Sequence, residues 1–300
     1  MIELAPHHKR GLALANPVMN ASGLLGFAEE YRGLVDFTRL GAFVTNAVTA
    51  RPRTSAHPPN AIPLPNGVLI HTGLPNPGVR AAVRRYDREW QRLGPPVVVH
   101  LAATTPRDVQ RSVEHLDRAE GVSGIELGLR DDISVEAMEH SIRAALGGPP
   151  LIVRLPILRA AELCEAAARA GADALTVGAP VRTSPPSTSL RTGPGPLREA
   201  PLWGSIANGN GEGESQDEAG KQKWRGRFYG PECFPVALEA VRAVVGAMHA
   251  SPLPIVGAGG ISSVEDARAM LAAGAAAVQV DAAVWIEPRL FTQLAQHLGN

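Results

Sequence analysis

The sequence predicts an α/β fold in which eight parallel strands, each followed by a helix, close into a single (β/α)8 barrel, a TIM barrel, spanning residues 1–300. Three observations predict it. Strand-like and helix-like runs alternate eight times along the 300 residues. The strand runs are apolar nearly throughout, as strands buried on both faces are. The alternation also fills the length of such a barrel, about 250 residues or somewhat more. A doubly wound sheet is the alternative, but the G-x-G-x-x-G turn expected after its first strand is absent.

The elements follow in order. NPVMNA, from Asn16, is the first strand, and AEEYRGLVDFTRLG, from Ala28, reads as a helix closed by Gly41. AFVTNAV is the second strand; PGVRAAVRRYDREWQRLG, from Pro77, has helical period and a terminal glycine. PPVVVHLAA precedes a helix with Pro106 in its first turn, where the missing N–H costs nothing. SGIELGL precedes a helix for which Ser134 is the expected N-cap. PPLIVRLP, ADALTVGAP, LPIVGAGG and AAAVQVDAA supply strands five to eight. The helix after the seventh is expected to open with a capping box from Ser262 to Glu265.

Two connections are too long for simple turns. The second strand is followed by a proline-rich stretch, Thr49 to Asn76, within which GVLIHTGL reads as a lid strand. The sixth is followed by roughly fifty residues, a length usual for functional or flexible segments. Within these, 207–223 has the composition of a flexible insertion.

Composition excludes several function classes. A net charge of +0 gives no overall basic field for nucleic acid or anionic membrane. The opening MIELAPHHKR lacks an apolar signal core and no span of membrane length follows, so a cytoplasmic chain is expected. The cysteines, Cys164 and Cys233, are too few for a disulfide framework or a metal knuckle. His71, His100 and Asp131 could form a metal set, but their loops leave the placement unconstrained, and no metal is expected.

In a barrel of this kind the working groups sit at the carboxyl ends of the strands, with phosphate after strands seven and eight. That rim offers Ala21, Ser22, Gly23, Asn46, His100, Gly128 to Asp132, Arg154, Gly178, the glycines of 257–260 and Asp281. The run Gly257-Ala258-Gly259-Gly260 reads as a phosphate cradle with free backbone N–H groups. Asp281 is out of place there: a carboxylate about 4 Å from a phosphate repels it by roughly 4 kcal/mol at an effective dielectric of 20. Its alternative role is an N-cap on the segment that follows. Glu126 and Arg154, on adjacent strands, are expected to pair inside the barrel.

With these stretches in view, the sequence resembles the class 1 dihydroorotate dehydrogenases. NPVMNASGLLGFAEEY, GLPNPG (73–78), GIEL (124–127), YGPECFPVALEAV, LPIVGAGGISSVEDA and AGAAAVQV fall in family order. The resemblance covers nearly the whole chain apart from the 207–223 insertion. It implies an oxidoreductase that converts dihydroorotate to orotate through FMN, in pyrimidine biosynthesis. It also implies a homodimer or a partnership with an iron–sulfur flavoprotein subunit, with no nucleic-acid or membrane partner. FMN would be held by Ala21, Ser22, Gly23, Arg154, Gly230, Gly257, Gly259 and Gly260, with Asp281 beside its phosphate. Asn46, Gly73, Leu74 and His100 would face substrate, and Asp131 would be the catalytic base.

Position by position, this chain departs from the family. The family lysine after the second strand is Asn46, the lid asparagine is Ile70, and the asparagine ending strand three is His100. The Asn-x-x-Cys-x-Asn stretch that supplies the base reads Gly128 to Ile133. The strand-five lysine is Arg154, the asparagine after strand six is Gly178, and the Gly-Thr pair closing the phosphate site is Asp281-Ala282. Dihydroorotate presents amides and a carboxylate, and a site built to pair them loses orders of magnitude without its amide side chains. Three readings follow: a dihydroorotate dehydrogenase-like flavoprotein with altered activity, a non-catalytic relative kept as a binding or assembly partner, and a barrel enzyme for another phosphorylated ligand.

Overall fold

The computed structural model describes residues 1–28, 30–178 and 226–299, together with the backbone of the short strands at 182–183, 215–216 and 222–223. Apart from two of those strands, the insertion expected at 207–223 lies outside the described residues. In chain order the strands that matter here are β1 (Val18–Asn20), β2 (Phe43–Val44), β3 (Ala61–Leu64), β4 (Gly67–Ile70), β5 (Val97–Ala102), β6 (Gly124–Gly128), β7 (Leu151–Arg154), β8 (Ala174–Val177), β9 (Arg182–Thr183), β10 (Gly226–Tyr229), β11 (Ile255–Ala258) and β12 (Ala277–Val280). The helices are α1 (Val79–Trp90), α2 (Pro106–Leu116), α3 (Val135–Ala145), α4 (Ala160–Ala170), α5 (Phe234–Ala247), α6 (Val264–Ala272) and α7 (Leu290–Leu298).

Eight strands form one parallel sheet in the order β1-β12-β11-β8-β7-β6-β5-β2. A parallel bridge between Met19 and Ala42 joins its two edges, so the sheet closes as the (β/α)8 barrel that the alternation predicts. A second sheet, β9-β10-β4-β3, is antiparallel and contains the lid strand expected at GVLIHTGL. An antiparallel pair, Ile2–Glu3 with Ala13–Leu14, precedes the barrel.

The two-residue period of a strand sorts the side chains. Met19, Val44, Val98, Ile152, Ala174, Val256 and Ala277 pack with Leu4, Leu12 and Leu14 in one buried cluster. A larger cluster includes Val99, Leu127, Val153, Leu175 and Val278 together with Val109, Met138, Leu163, Val241 and Met270 from the helices. Two places beyond the barrel-strand members of the first cluster stand His100, Thr176 and Gln279, buried and polar, and Asn46 and Arg154, half-buried, beside the small Ala21 and Ala258. The barrel interior therefore changes from apolar to polar toward its carboxyl end.

The expected helix cap is present at Ser134, which accepts the Ala137 N–H, and Pro106 opens α2 as expected; its cap, Thr105, accepts the Asp108 N–H and was not read from the sequence. Two expectations fail. Ala28 to Gly41 is not an α-helix; only Phe37–Arg39 forms a 3-10 turn. Glu30 folds back to accept the N–H groups of Phe27 and Ala28, and Asp36 takes that of Thr38. These side chains satisfy the backbone locally and compete with helix. The cap of α6 is Ser263, accepting from Asp266, one place beyond the expected box. Among the described residues no helix is long and apolar enough to cross a membrane.

Candidate functional site

Strand register brings the polar layer together. His100 and Glu126 are direct partners across β5 and β6, and Arg154 pairs with Thr176 across β7 and β8. Glu126 is fully buried and is the hub. It meets His100 Nδ1 at 2.6 Å and accepts from Thr176 Oγ1 and Gln279 Nε2, each at 2.7 Å. Arg154 donates to both of its oxygens at 3.3 Å. Arg154 also donates to Gln279 Oε1, which fixes that amide's orientation. Burial alone would raise the Glu126 carboxyl, but the Arg154 charge and the bonds from His100 and Thr176 outweigh it and hold the group well below the usual carboxylate range. The ion pair expected between Glu126 and Arg154 is present.

An ionised carboxylate only accepts, so His100 Nδ1 carries the proton and Nε2 is the second ring position. No hydrogen bond joins Nε2 to another described residue. Nε2 lies 2.5 Å from where a Cβ on Gly128 would stand. A side chain at 128 and the observed His100 are therefore mutually exclusive. Gly178 is equally restricted: its φ is +96°, and a Cβ would come within 1.8 Å of the Ala258 carbonyl.

The glycine cradle is built as a backbone approach. Gly259 and Gly260 have φ of +108° and +69°, and a Cβ on Gly260 would meet the Phe234 nitrogen at 2.4 Å. Only glycine permits this contact between the end of β11 and the start of α5. Gly257 packs against Met270, and Gly230 lies beneath the Asn66 carbonyl of the lid hairpin. Asp281, 6% exposed, accepts the Gly260 N–H at 3.3 Å. It occupies the N-cap position of the 3-10 turn Ala282–Trp285 without making a side-chain cap there. Burial pushes its carboxyl up to about 6, against the opposing bonds from Gly260 and Ala282 and the charge of Arg154. Tyr229 and Cys233 stand close enough to feel that charge. Burial, then Asp281, pushes the Cys233 thiol up to about 12. Burial also raises the Tyr229 hydroxyl.

The remaining expected residues are distributed around the rim. Ala21 donates its N–H to the Val280 carbonyl, so Ala21-Ser22-Gly23 adjoins Asp281. Asn46 is half-buried, and its Oδ1 is a buried atom without a partner among the described residues. Gly73 and Leu74 lie between the lid and α1; Leu74 has φ +55°, a conformation that a branched residue rarely adopts. Asn76 holds this turn, donating to the Leu74 carbonyl and accepting from the Gly78 N–H. Asp131 is 44% exposed and pairs with Arg227 of β10 at 3.2 Å, linking the loop after β6 to the lid. Among the described residues no cluster of metal-ligating side chains forms.

Thr176, Gln279, Tyr229 and Cys233 are the rim residues that the sequence reading missed. A polar residue inside an apolar strand run, as in AAAVQVDAA, is the signal that marks Gln279.

Three comparisons bear on the arrangement. The dihydroorotate dehydrogenase family model matches residues 7–129 and 204–300. Dihydroorotate dehydrogenase B (NAD(+)), catalytic subunit, of Desulforudis audaxviator is 31% identical over 96% of this chain and 89% of its own length. The protein of the same name from Halalkalibacterium halodurans is 30% identical over 93% and 86%. The crystal structure of DHODH from Eimeria tenella in complex with ferulenol superimposes with a TM-score of 0.68 at 15% identity, covering 99% of this chain and 85% of that one; it supports the fold.

Proposed function

The chain belongs to the dihydroorotate dehydrogenase family and its function is dihydroorotate dehydrogenase-like; from that premise we propose that it acts on a cyclic carbonyl compound less polar than dihydroorotate, with His100 as its acid–base group. One observation carries the reading: His100 is held by buried Glu126 through Nδ1 while Nε2 fills the space above Gly128. Where the family places an asparagine, this chain places an imidazole backed by a carboxylate.

In the family's reaction the C5–C6 bond of dihydroorotate becomes a double bond: a proton leaves C5 to a base, and a hydride would leave C6 to the flavin that the family uses. C5 lies next to a ring carbonyl, and a positioned base removes such a proton with typical accelerations of about 10²–10⁴. Glu126 keeps the lone pair of His100 at Nε2 and stabilises the imidazolium that forms when Nε2 takes the proton. Asp131, the base expected from the sequence, is half exposed and engaged with Arg227, a setting suited to bracing the lid. Ile70, Gly128, Ile133 and Gly178 replace amide side chains with apolar or absent ones, which favours a ring with fewer polar edges.

FMN, the cofactor that the resemblance implies, does not fit this rim at its phosphate end. Asp281 already takes the Gly260 N–H, and Arg154 is engaged by Glu126 and Gln279. A second reading, a barrel retained for assembly with another subunit such as an iron–sulfur flavoprotein, is favoured by this internal use of rim donors.

Proton–deuterium exchange next to the carbonyl, followed by NMR in D2O, tests the proposal without any flavin. Wild type is expected to accelerate exchange in dihydrouracil-type rings more than in dihydroorotate, and His100→Gln to lose about 100-fold. Exchange at the solvent rate with every ring, or exchange unchanged in His100→Gln, rejects it and leaves the assembly reading.

A further inference from the structure

We infer that Asp281 is a built-in occupant of the anion cradle, so that this barrel selects against the phosphate of a flavin and FMN binds no better than riboflavin. The inference goes beyond the acid–base reading, which concerns His100 at a different part of the rim.

Three observations converge. The cradle is intact as backbone: Gly259 and Gly260 keep left-handed φ values, and no side chain fits at 260 against the Phe234 nitrogen. Its Gly260 donor is already used, because the Asp281 carboxylate, 6% exposed, accepts that N–H. Among the described residues, the two guanidinium groups nearest the cradle are already engaged. Arg154 from β7 is tied to Glu126 and Gln279, and Arg227 from the lid is tied to Asp131. Cys233 and Tyr229, from the segment leading into α5, stay neutral beside Asp281. The three lysines of the chain are Lys9, Lys221 and Lys223, so no lysine lies in residues 10–220 or after 223. A phosphate entering here would have to displace the carboxylate from its N–H and then share a buried space with it.

The opposite substitution restores the cradle. Asp281→Gly removes both the charge and the atoms that cover the Gly260 N–H, while Asp281→Asn keeps the shape and removes only the charge. Binding of FMN and of riboflavin to the full chain, measured by flavin-fluorescence quenching at pH 8, reads the discrimination directly. Asp281→Gly is expected to tighten FMN by about 100-fold and riboflavin by less than about threefold, and Asp281→Asn to tighten FMN by about tenfold. The same pattern with a wild type that takes up neither flavin also supports the inference. An Asp281→Gly chain that binds FMN no better than wild type overturns it, as does a wild type that prefers FMN to riboflavin by tenfold or more. If Asp281→Gly does not fold, Asp281→Asn decides between the same two outcomes. Because deuterium exchange by the wild type needs no flavin, failure here and failure of the His100 assignment are read separately.

Discussion

Glu126 and Asp281 are both buried carboxylates of the barrel's carboxyl half, and the structure treats them in opposite ways. Glu126 receives bonds from His100, Thr176, Gln279 and Arg154 and stays ionised far into the acid range. Among the described residues Asp281 meets only backbone N–H groups, those of Gly260 and Ala282, and has a pKa moved up to about 6. Desolvation acts on both in the same direction, so the partners decide the sign. A carboxylate surrounded by side-chain donors and a cation stays charged; one held by backbone amides alone is costly to keep charged, and it persists where its position serves something other than stability.

The contrast is broken most severely at Glu126. Glu126→Ala removes the ion-pair partner of the largely buried Arg154 and the carboxylate that holds His100, Thr176 and Gln279, and chemical denaturation is expected to show a loss of about 3–5 kcal/mol. The complementary fit of His100 and Gly128 comes next. Gly128→Asn alone should cost about 2–3 kcal/mol through overpacking, and adding His100→Asn should recover most of it; a double-mutant cycle reads the coupling.

Asp281→Asn should act in the other direction and raise stability at pH 8 by about 1–3 kcal/mol. The sign follows from linkage. The folded pKa of about 6 lies above the unfolded value near 3.9, so the folded state binds the extra proton between them. Wild-type stability on this account falls as pH rises through 6, and the advantage of Asp281→Asn should vanish by about pH 4. The smallest effect belongs to Asp131→Ala. An exposed pair with Arg227 is worth less than about 1 kcal/mol, and salt should weaken it further.

The barrel was legible because its signal is periodic: apolar strand runs, glycine-closed helices and polar caps repeat along the chain. The Ala28–Gly41 helix misled because its apolar spacing survives while Glu30 and Asp36 take the N–H groups that a helix would need. At the site, the pairing of Glu126 with Arg154 could be expected from adjacent strands. Gln279 and Thr176 could not be joined to it, because register across distant strands is not written in local sequence. The exclusion between His100 and Gly128 is a matter of space and emerges only when the strands are side by side. Asp281 was visible as an acid beside a glycine cradle, but whether it capped the next turn or covered Gly260 depended on the close approach of β11 and β12.

The most direct test is a titration of the side-chain carboxyl carbons by NMR in protein labelled at Asp and Glu. The account predicts one aspartate signal that titrates near pH 6 and is absent from Asp281→Asn, and one glutamate signal, removed in Glu126→Gln, that stays ionised down to pH 3. An Asp281 signal titrating at or below pH 4, or the two carboxyls titrating together, would contradict it.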